Sequence, residues 1–188
     1  DAPRPEAKAV LSELKNRGIK TVMLTGDNQQ LAEKIGRQLG IDQVEAGLLP
    51  GEKADRLAKL QESGPVAFVG DGINDAPALS LADVGIAMGS GTDVAKEAGG
   101  IVLMTSSLTG VLRALDLSKQ TFTRIKLNLF WALIYNLIGI PVAAGLFSFI
   151  GVSLSPELAA LAMAFSSVSV LLSSLMLNWT KIAGAGKS

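Results

Sequence analysis

Apolar positions along the first hundred residues fall into two alternating patterns, one with the period of a helix and one unbroken. From Pro5 to Arg17, Ala9, Val10 and Leu14 share a helical face, Glu6 and Lys8 lie outside it, and Gly18 supplies a stop, so an amphipathic helix is predicted. Ile19 to Leu24 then reads as a buried strand closed by Thr25-Gly26-Asp27-Asn28, and Gln29 to Leu39 as a second helix stopped by Gly40. A short strand is expected at Gln43 to Ala46. Pro50 and Gly51 open a third helix, Glu52 to Gln61, braced by Glu52/Arg56 and Asp55/Lys59 at four-residue spacing. Pro65 to Val69 is a central buried strand that ends on Gly70-Asp71-Gly72-Ile73-Asn74-Asp75 before a helix from Ala76. Val84 to Met88 and Ile101 to Met104 are two further strands, separated by Gly89-Ser90-Gly91-Thr92-Asp93 and a short helix. This alternation predicts an α/β fold with a parallel sheet covered by helices.

The pattern changes after Lys126. Leu127 to Ile150 and Leu158 to Trp179 contain no charged residue, and each is long enough to cross a bilayer core as a helix. Two buried helices of a soluble core would be shorter. The link, residues 151–157, is so short that the two spans form an antiparallel hairpin. Lys119, Arg124 and Lys126 precede the first span and Lys181 follows the second, whereas the link carries only Glu157, which places residues 1–126 and the tail, 180–188, in the cytoplasm of a multi-pass membrane protein. Leu108 to Lys126 is helical in pattern and enters the first span without a breaker, a mechanical lever between the α/β unit, residues 1–107, and the membrane. Pro141 is expected to kink its span.

Charge and composition narrow the chemistry. The 17 basic and 17 acidic residues balance, so nothing points to a nucleic-acid partner. There is no cysteine and no histidine, which leaves carboxylate, hydroxyl, amide and thioether groups as metal ligands. The first twenty residues are charged and helical in pattern, unlike a secretory signal.

Gly70 and Gly72 let the backbone approach a ligand, and Asp71 stands where a strand delivers its side chain to the carboxyl edge of the sheet, where ligands of open α/β sheets collect. Thr25 and Gly26 end another strand on the same rim. A hydroxyl, backbone amides and a carboxylate together suit phosphate oxygens and magnesium. Plainer roles stand beside these: Asp71 as a turn former, Asp75 as an N-cap, and Thr25 or Asp27 as the cap of the helix from Gln29. Lys53 lies in the first turn of a helix, where the macrodipole disfavours a cation. Leu49 and Leu57 occupy the positions four away, so it is expected to lack an acid partner and to face an anion, the alternative being a solvated surface lysine.

Thr25-Gly26-Asp27, Lys53 and Gly70-Asp71-Gly72-Ile73-Asn74-Asp75 resemble motifs of the haloacid-dehalogenase superfamily. The surrounding sequence, with Asp1, Arg4, Pro5 and Gly89-Ser90-Gly91-Thr92-Asp93-Val94-Ala95, resembles the P-type ATPases over nearly the whole chain. The resemblance implies a partial Rossmann-type phosphorylation domain followed by a transmembrane hairpin, with Mg2+ and ATP as cofactors. By it, Asp71 and Asp75 would bind Mg2+, Thr25, Gly26, Lys53 and Gly72 would contact the phosphoryl group, and Asp27, Asn74 and Asp75 would order the catalytic site.

That family phosphorylates the aspartate of an Asp-Lys-Thr-Gly-Thr motif, which does not occur in this sequence; nor do the Thr-Gly-Glu and Cys-Pro-Cys motifs. The resemblance is therefore to the second half of a phosphorylation domain and the last two membrane helices of a pump. Alone, the chain is expected not to hydrolyse ATP. Its expected partners are the missing segments of the same pump, the lipid bilayer and a copper chaperone. In the superfamily's sheet order the absent phosphorylated strand lies between the strands ending at Leu24 and Val69, which leaves unpaired backbone groups on both and predicts poor folding of the isolated piece.

The spans bear on the ion. Tyr135 and Asn136 lie about 13 Å into the first at the helical rise, and Met163, Ser166 and Ser167 share one face of the second at i, i+3 and i+4. A thioether favours Cu(I) over Zn2+ or Mg2+. The same residue types also serve ordinary helix packing. The joint pattern resembles the Cu(I)-transporting branch of the heavy-metal P-type ATPases, and by that resemblance Tyr135, Asn136, Met163, Ser166 and Ser167 belong to a Cu(I) site whose two cysteines come from the absent helix. The expectation is part of an ATP-driven Cu(I) export pump. A pump for Zn2+ or another divalent ion, a membrane-tethered phosphatase without its nucleophile, and a truncated product that assembles with or regulates an intact pump are the alternatives.

Overall fold

The computed structural model describes residues 3–70, 73–89, 100–146, 149 and 155–176. Asp71, Gly72, residues 90–95, most of the link and the tail lie outside the described residues, as does the side chain of Met163. The chain forms two compact units, residues 1–113 and 114–188.

In the first unit the elements run α1 (Ala7–Asn16), β1 (Val22–Leu24), α2 (Gln29–Leu39), β2 (Gln43–Glu45), α3 (Pro50–Gln61), β3 (Ala67–Gly70), a 3₁₀ turn (Ile73–Asp75), α4 (Ala76–Leu81), β4 (Val84–Met88) and β5 (Ile101–Leu103). All pairings are parallel, with Val22 opposite Gln43, Ala67 opposite Val84 and Met88 opposite Leu103. Parallel neighbours need crossovers, which α2 and α4 supply. The strands form two sheets, β1-β2 and β3-β4-β5, and β1 does not pair with β3. The division falls where the resemblance places the absent strand.

Two strands begin later than the apolar runs predicted, for one shared reason. Thr21 N–H donates to Asp42 Oδ2 at 2.9 Å and Thr21 Oγ1 to the same oxygen at 3.0 Å, so β1 opens at Val22. Val66 N–H donates to Asp83 Oδ2 at 2.8 Å, so β3 opens at Ala67. Each aspartate stands just before the neighbouring strand and clips its partner's start.

Helices cover the strands through small contacts. A Cβ at Gly36 of α2 would run into Val44 of β2, so glycine permits that approach. Leu57 of α3 and Leu79 of α4 are each 1% exposed, and Leu79 packs with Ala87, Phe68 and Val102. The brace expected between Glu52 and Arg56 does not form. Glu52 instead reaches back to accept the Leu49 N–H at 2.8 Å, satisfying an orphan donor at the helix start, and Arg56 pairs with Glu45 at 3.0 Å.

The second unit contains most of α5 (Thr109–Ala143) and all of α6 (Pro156–Leu175). Helix α5 is continuous, as predicted, and is the one described helix long and apolar enough to cross a membrane. It ends at Ala143, short of Ile150. Gly145 takes φ 76° and donates to Val142 O at 3.1 Å while Leu146 N–H donates to Pro141 O at 3.0 Å, a Schellman stop. Pro141 therefore sits in the last turn and not mid-span, which corrects the expected kink. Large apolar side chains stay exposed on both helices, among them Leu137 at 70% and Leu171 at 60%.

Thr21 and Lys15 bonds hold the Asp42 carboxyl below its ordinary value, and the Val66 N–H and Gln61 do the same for Asp83. A lowered folded pKa gives stability that is complete above the unfolded value of 3.8 and lost as pH falls through the folded one. Asp42→Asn and Asp83→Asn are expected to lower the thermal midpoint at neutral pH, with the difference from wild type shrinking to nothing as pH falls below 3.8 and through the lowered folded values. Melting curves across that range check this, and a difference that persists in acid contradicts it.

Candidate functional site

Strand β1 delivers Thr25 to the rim, and its N–H still donates to Glu45 O at 3.0 Å, one step beyond the paired strand. The chain then turns on the Thr25 hydroxyl, which accepts the Asp27 N–H at 3.1 Å and donates to Asp27 Oδ2 at 3.0 Å. Helix α2 is capped by Asn28, whose Oδ1 accepts from Leu31 N–H at 2.9 Å. The capping role open to Thr25 or Asp27 in the sequence thus belongs to neither, and both stay at the rim with the exposed Gly26.

Residues 47–49 form the facing wall. Gly47 N–H donates to Asp27 O at 2.8 Å and Leu48 N–H to Thr25 O at 3.1 Å. A Cβ on Gly26 would lie 3.3 Å from Leu48 O, so a side chain there would crowd the wall. Leu49 is the N-cap position of α3, and Lys53 follows in the first turn.

Lys53 is paired, contrary to expectation. Its Nζ lies 2.8 Å from Asp75 Oδ1, with side chains 19% and 13% exposed. The partner is 22 residues away, so spacing within one helix could not reveal it. Asp75 stands at the N-cap position of α4 but makes no side-chain capping bond, because its carboxylate turns to Lys53. Gly70, buried at the end of β3, makes room for it: a Cβ there would lie 2.8 Å from Asp75 Oδ2 and 2.9 Å from Asp75 Cβ. Asn74 is exposed on the same turn, and Asp71 and Gly72 lie outside the described residues.

The carboxyl ends of strands from the two sheets thus carry the Thr25 hydroxyl and a carboxylate-held ammonium, groups of the kind that suit phosphoryl oxygens. Among the described residues no group of three or more acidic residues could cage a metal ion. Magnesium takes one or two carboxylates and completes its shell with phosphate and water, so it does not require such a cage.

In the second unit, Tyr135 Oη lies 3.5 Å from Ser169 Oγ, at the long limit of a hydrogen bond. Asn136 Nδ2 donates to Ala132 O at 3.0 Å within its own helix. Ser166 is half-buried and Ser167 exposed. Two contacts that the ligand pattern did not anticipate join the helices: Asn128 Nδ2 donates to Ser174 Oγ at 2.8 Å, and Arg124 Nη1 to Ser173 Oγ at 3.4 Å. The signal was present, since Arg124, Asn128 and Tyr135 fall on one helical stripe opposite a serine-rich helix.

Gly70→Ala is expected to cost about 1–3 kcal/mol through overpacking and to push Asp75 off Lys53. Chemical denaturation checks the cost, and unchanged stability contradicts the close approach.

Comparison with known proteins adds a family context. Residues 1–83 match a family model described as haloacid dehalogenase-like hydrolase, and residues 55–115 match a second model of the same description. A probable copper-exporting P-type ATPase of Archaeoglobus fulgidus is 55% identical over 95% of this chain and 22% of its own length. A probable copper-importing P-type ATPase A of Enterococcus hirae is 54% identical over 95% of this chain and 24% of its own length. The crystal structure of a zinc-transporting PIB-type ATPase in its E2.Pi state aligns with a TM-score of 0.83 at 40% identity, over 94% of this chain and 28% of that one. The chain thus spans under a quarter of the two copper relatives' length, at 22% and 24%.

Proposed function

We propose, from the premise that this chain belongs to the heavy-metal P-type ATPases, that it supplies part of the phosphorylation site and two membrane helices of an ATP-driven Cu(I) export pump. The observation that carries the phosphoryl site is the Lys53–Asp75 pair at 2.8 Å, seated on Gly70. Phosphoryl transfer breaks the bond between the γ-phosphorus of ATP and its bridging oxygen and forms one to a carboxylate of the same pump. That aspartate is not among the motifs of this sequence, so the chain contributes positioning and charge, not the nucleophile.

Each side chain has a role. The Lys53 ammonium neutralises charge spread over the transferred phosphoryl oxygens, where preorganised charge is most effective. Asp75 fixes that ammonium in place. The Thr25 hydroxyl exchanges its bond to Asp27 for one to a phosphoryl oxygen, and the Gly26 and Gly72 backbones approach the same group. Asn74 orders the turn between β3 and α4. Asp71, with Asp75, would hold Mg2+, which supplies positive charge to the phosphate oxygens.

For the cargo, we assign Tyr135, Asn136, Met163, Ser166 and Ser167 to a Cu(I) site completed by ligands from elsewhere in the pump. The thioether is the soft donor that supports copper, and the copper relatives are more similar in sequence, at 55% and 54%, than the zinc-transporting structure at 40%. A Zn2+ pump is the second reading, supported by that structural neighbour. In this account residues 1–126 and the tail are cytoplasmic, the spans expected at residues 127–150 and 158–179 cross the bilayer, the first as helix only as far as Ala143, and a copper chaperone delivers the ion.

The test is acid-stable phosphorylation by ATP of a pump carrying this sequence, with Cu(I), Zn2+, K+ or no metal. Phosphoenzyme is expected with Cu(I), to be lost in Asp71→Ala, and to form about 100-fold more slowly in Lys53→Met. Formation driven by Zn2+ keeps the family and overturns the copper assignment. Undiminished phosphoenzyme in Asp71→Ala overturns the site.

A further inference from the structure

Glu6 stands at the N-cap position of α1, yet its side chain makes no capping bond to that helix. The carboxylate is directed to residues about a hundred positions later. Ser107 Oγ donates to Glu6 Oε1 at 3.2 Å across 101 residues of sequence. Ser107 Oγ also lies 2.9 Å from Thr109 Oγ1 and 3.4 Å from the Thr109 nitrogen. Two residues away, the Arg4 guanidinium donates to Ser106 O.

These contacts converge on the start of α5. The first N–H groups of a helix have no intrahelical partner and together carry partial positive charge. Here the Ser107 hydroxyl receives the Thr109 N–H at 3.4 Å, the Gly110 and Val111 N–H groups bond Ser107 O and Leu108 O at 3.0 Å, and the Glu6 carboxylate behind Ser107 holds that hydroxyl and opposes the charge. The carboxyl of Glu6 is held below its ordinary value first by its own backbone N–H, then, against the opposing effect of burial, by Ser107, Leu108 and Arg4.

The loop that presents Ser106 and Ser107 is itself seated. Gly89, at the carboxyl end of β4 with φ 73°, donates to Leu103 O at 3.0 Å, and a Cβ on it would run into the Ser106 side chain. From Thr109 the helix then runs unbroken to Ala143, with its one proline in the last turn.

We propose that Glu6 is a positioning residue that, from a remote part of the chain, fixes the Ser107 hydroxyl that caps α5, so that the segment leading into α1 and the first turn of α5 move together. In a pump, this clasp is what transmits a change at the phosphorylation site to the membrane helix. The inference rests on the proposed function for its consequence and on the contacts alone for the cap.

The test uses a full-length pump carrying this sequence, with Glu6→Ala, Glu6→Gln and Ser107→Ala. Two quantities are read: phosphoenzyme formed from ATP with Cu(I), and metal moved into vesicles per ATP hydrolysed. Glu6→Ala and Ser107→Ala are expected to keep phosphoenzyme near the wild-type level while the transport ratio falls about fivefold or more. Glu6→Gln still accepts from Ser107 and should keep most of the ratio. An unchanged ratio in Glu6→Ala, or phosphoenzyme and transport falling in the same proportion, overturns the proposal. Where Glu6→Ala fails to fold, Ser107→Ala, which removes only a hydroxyl, decides. Where wild type forms no phosphoenzyme, it is the proposed function that fails. The cap is then read from amide exchange at residues 109–111, faster in both alanine variants if Glu6 fixes the cap and unchanged if it does not.

Discussion

The Lys53–Asp75 ion pair fastens three separately formed elements at one point: the first turn of α3, the end of β3 and the start of α4. Its geometry depends on Gly70, since any side chain at that position would meet the Asp75 carboxylate. Both partners are mostly buried, at 19% and 13% side-chain exposure, so water screens them less than a surface pair and removal of either leaves an uncompensated charge. A lysine in the first turn of a helix is poorly placed for the macrodipole. The carboxylate offsets that cost and leaves an ammonium fixed at the sheet's rim, the place our proposal gives to a phosphoryl group.

The sheet around this point is divided. The clips by Asp42 and Asp83 set where β1 and β3 begin, and the pairs β1-β2 and β3-β4 then proceed in the same parallel sense. Thr25 belongs to one sheet and Gly70 to the other, so the rim is assembled across a division that no described strand bridges. Unpaired edges of this kind are satisfied in a complete fold. The chain covers 22% and 24% of the two copper relatives, which are about four times its length.

Much of this was legible in the sequence where the signals are local. Helix α2 matches its predicted bounds because Asn28 and Gly40 are cap and stop in one short stretch. The strands were found by their apolar runs but overextended at Ile19 and Pro65, because the side chains that clip them come from the next strand's approach. Lys53 is marked in the sequence by its place in a helix's first turn but is not without an acid partner, since Asp75 reaches it only through the fold. The Glu52/Arg56 brace failed for a related reason: each side chain had a stronger claim outside the four-residue spacing. In the hairpin, the soft-ligand pattern does not mark Arg124, Asn128 or the serines at 169, 173 and 174, whose hydrogen bonds join the helices.

The most direct test of the central claim is a double-mutant cycle of Lys53→Met and Asp75→Asn, measured as phosphorylation of the pump by inorganic phosphate. This readout bypasses the nucleotide. If the pair works as one unit, each single change abolishes most of the signal and the double change costs no more than the worse single one, a strong non-additivity. Losses that simply multiply would mean that Lys53 and Asp75 act separately, and would contradict the account of the ion pair as the organiser of the site.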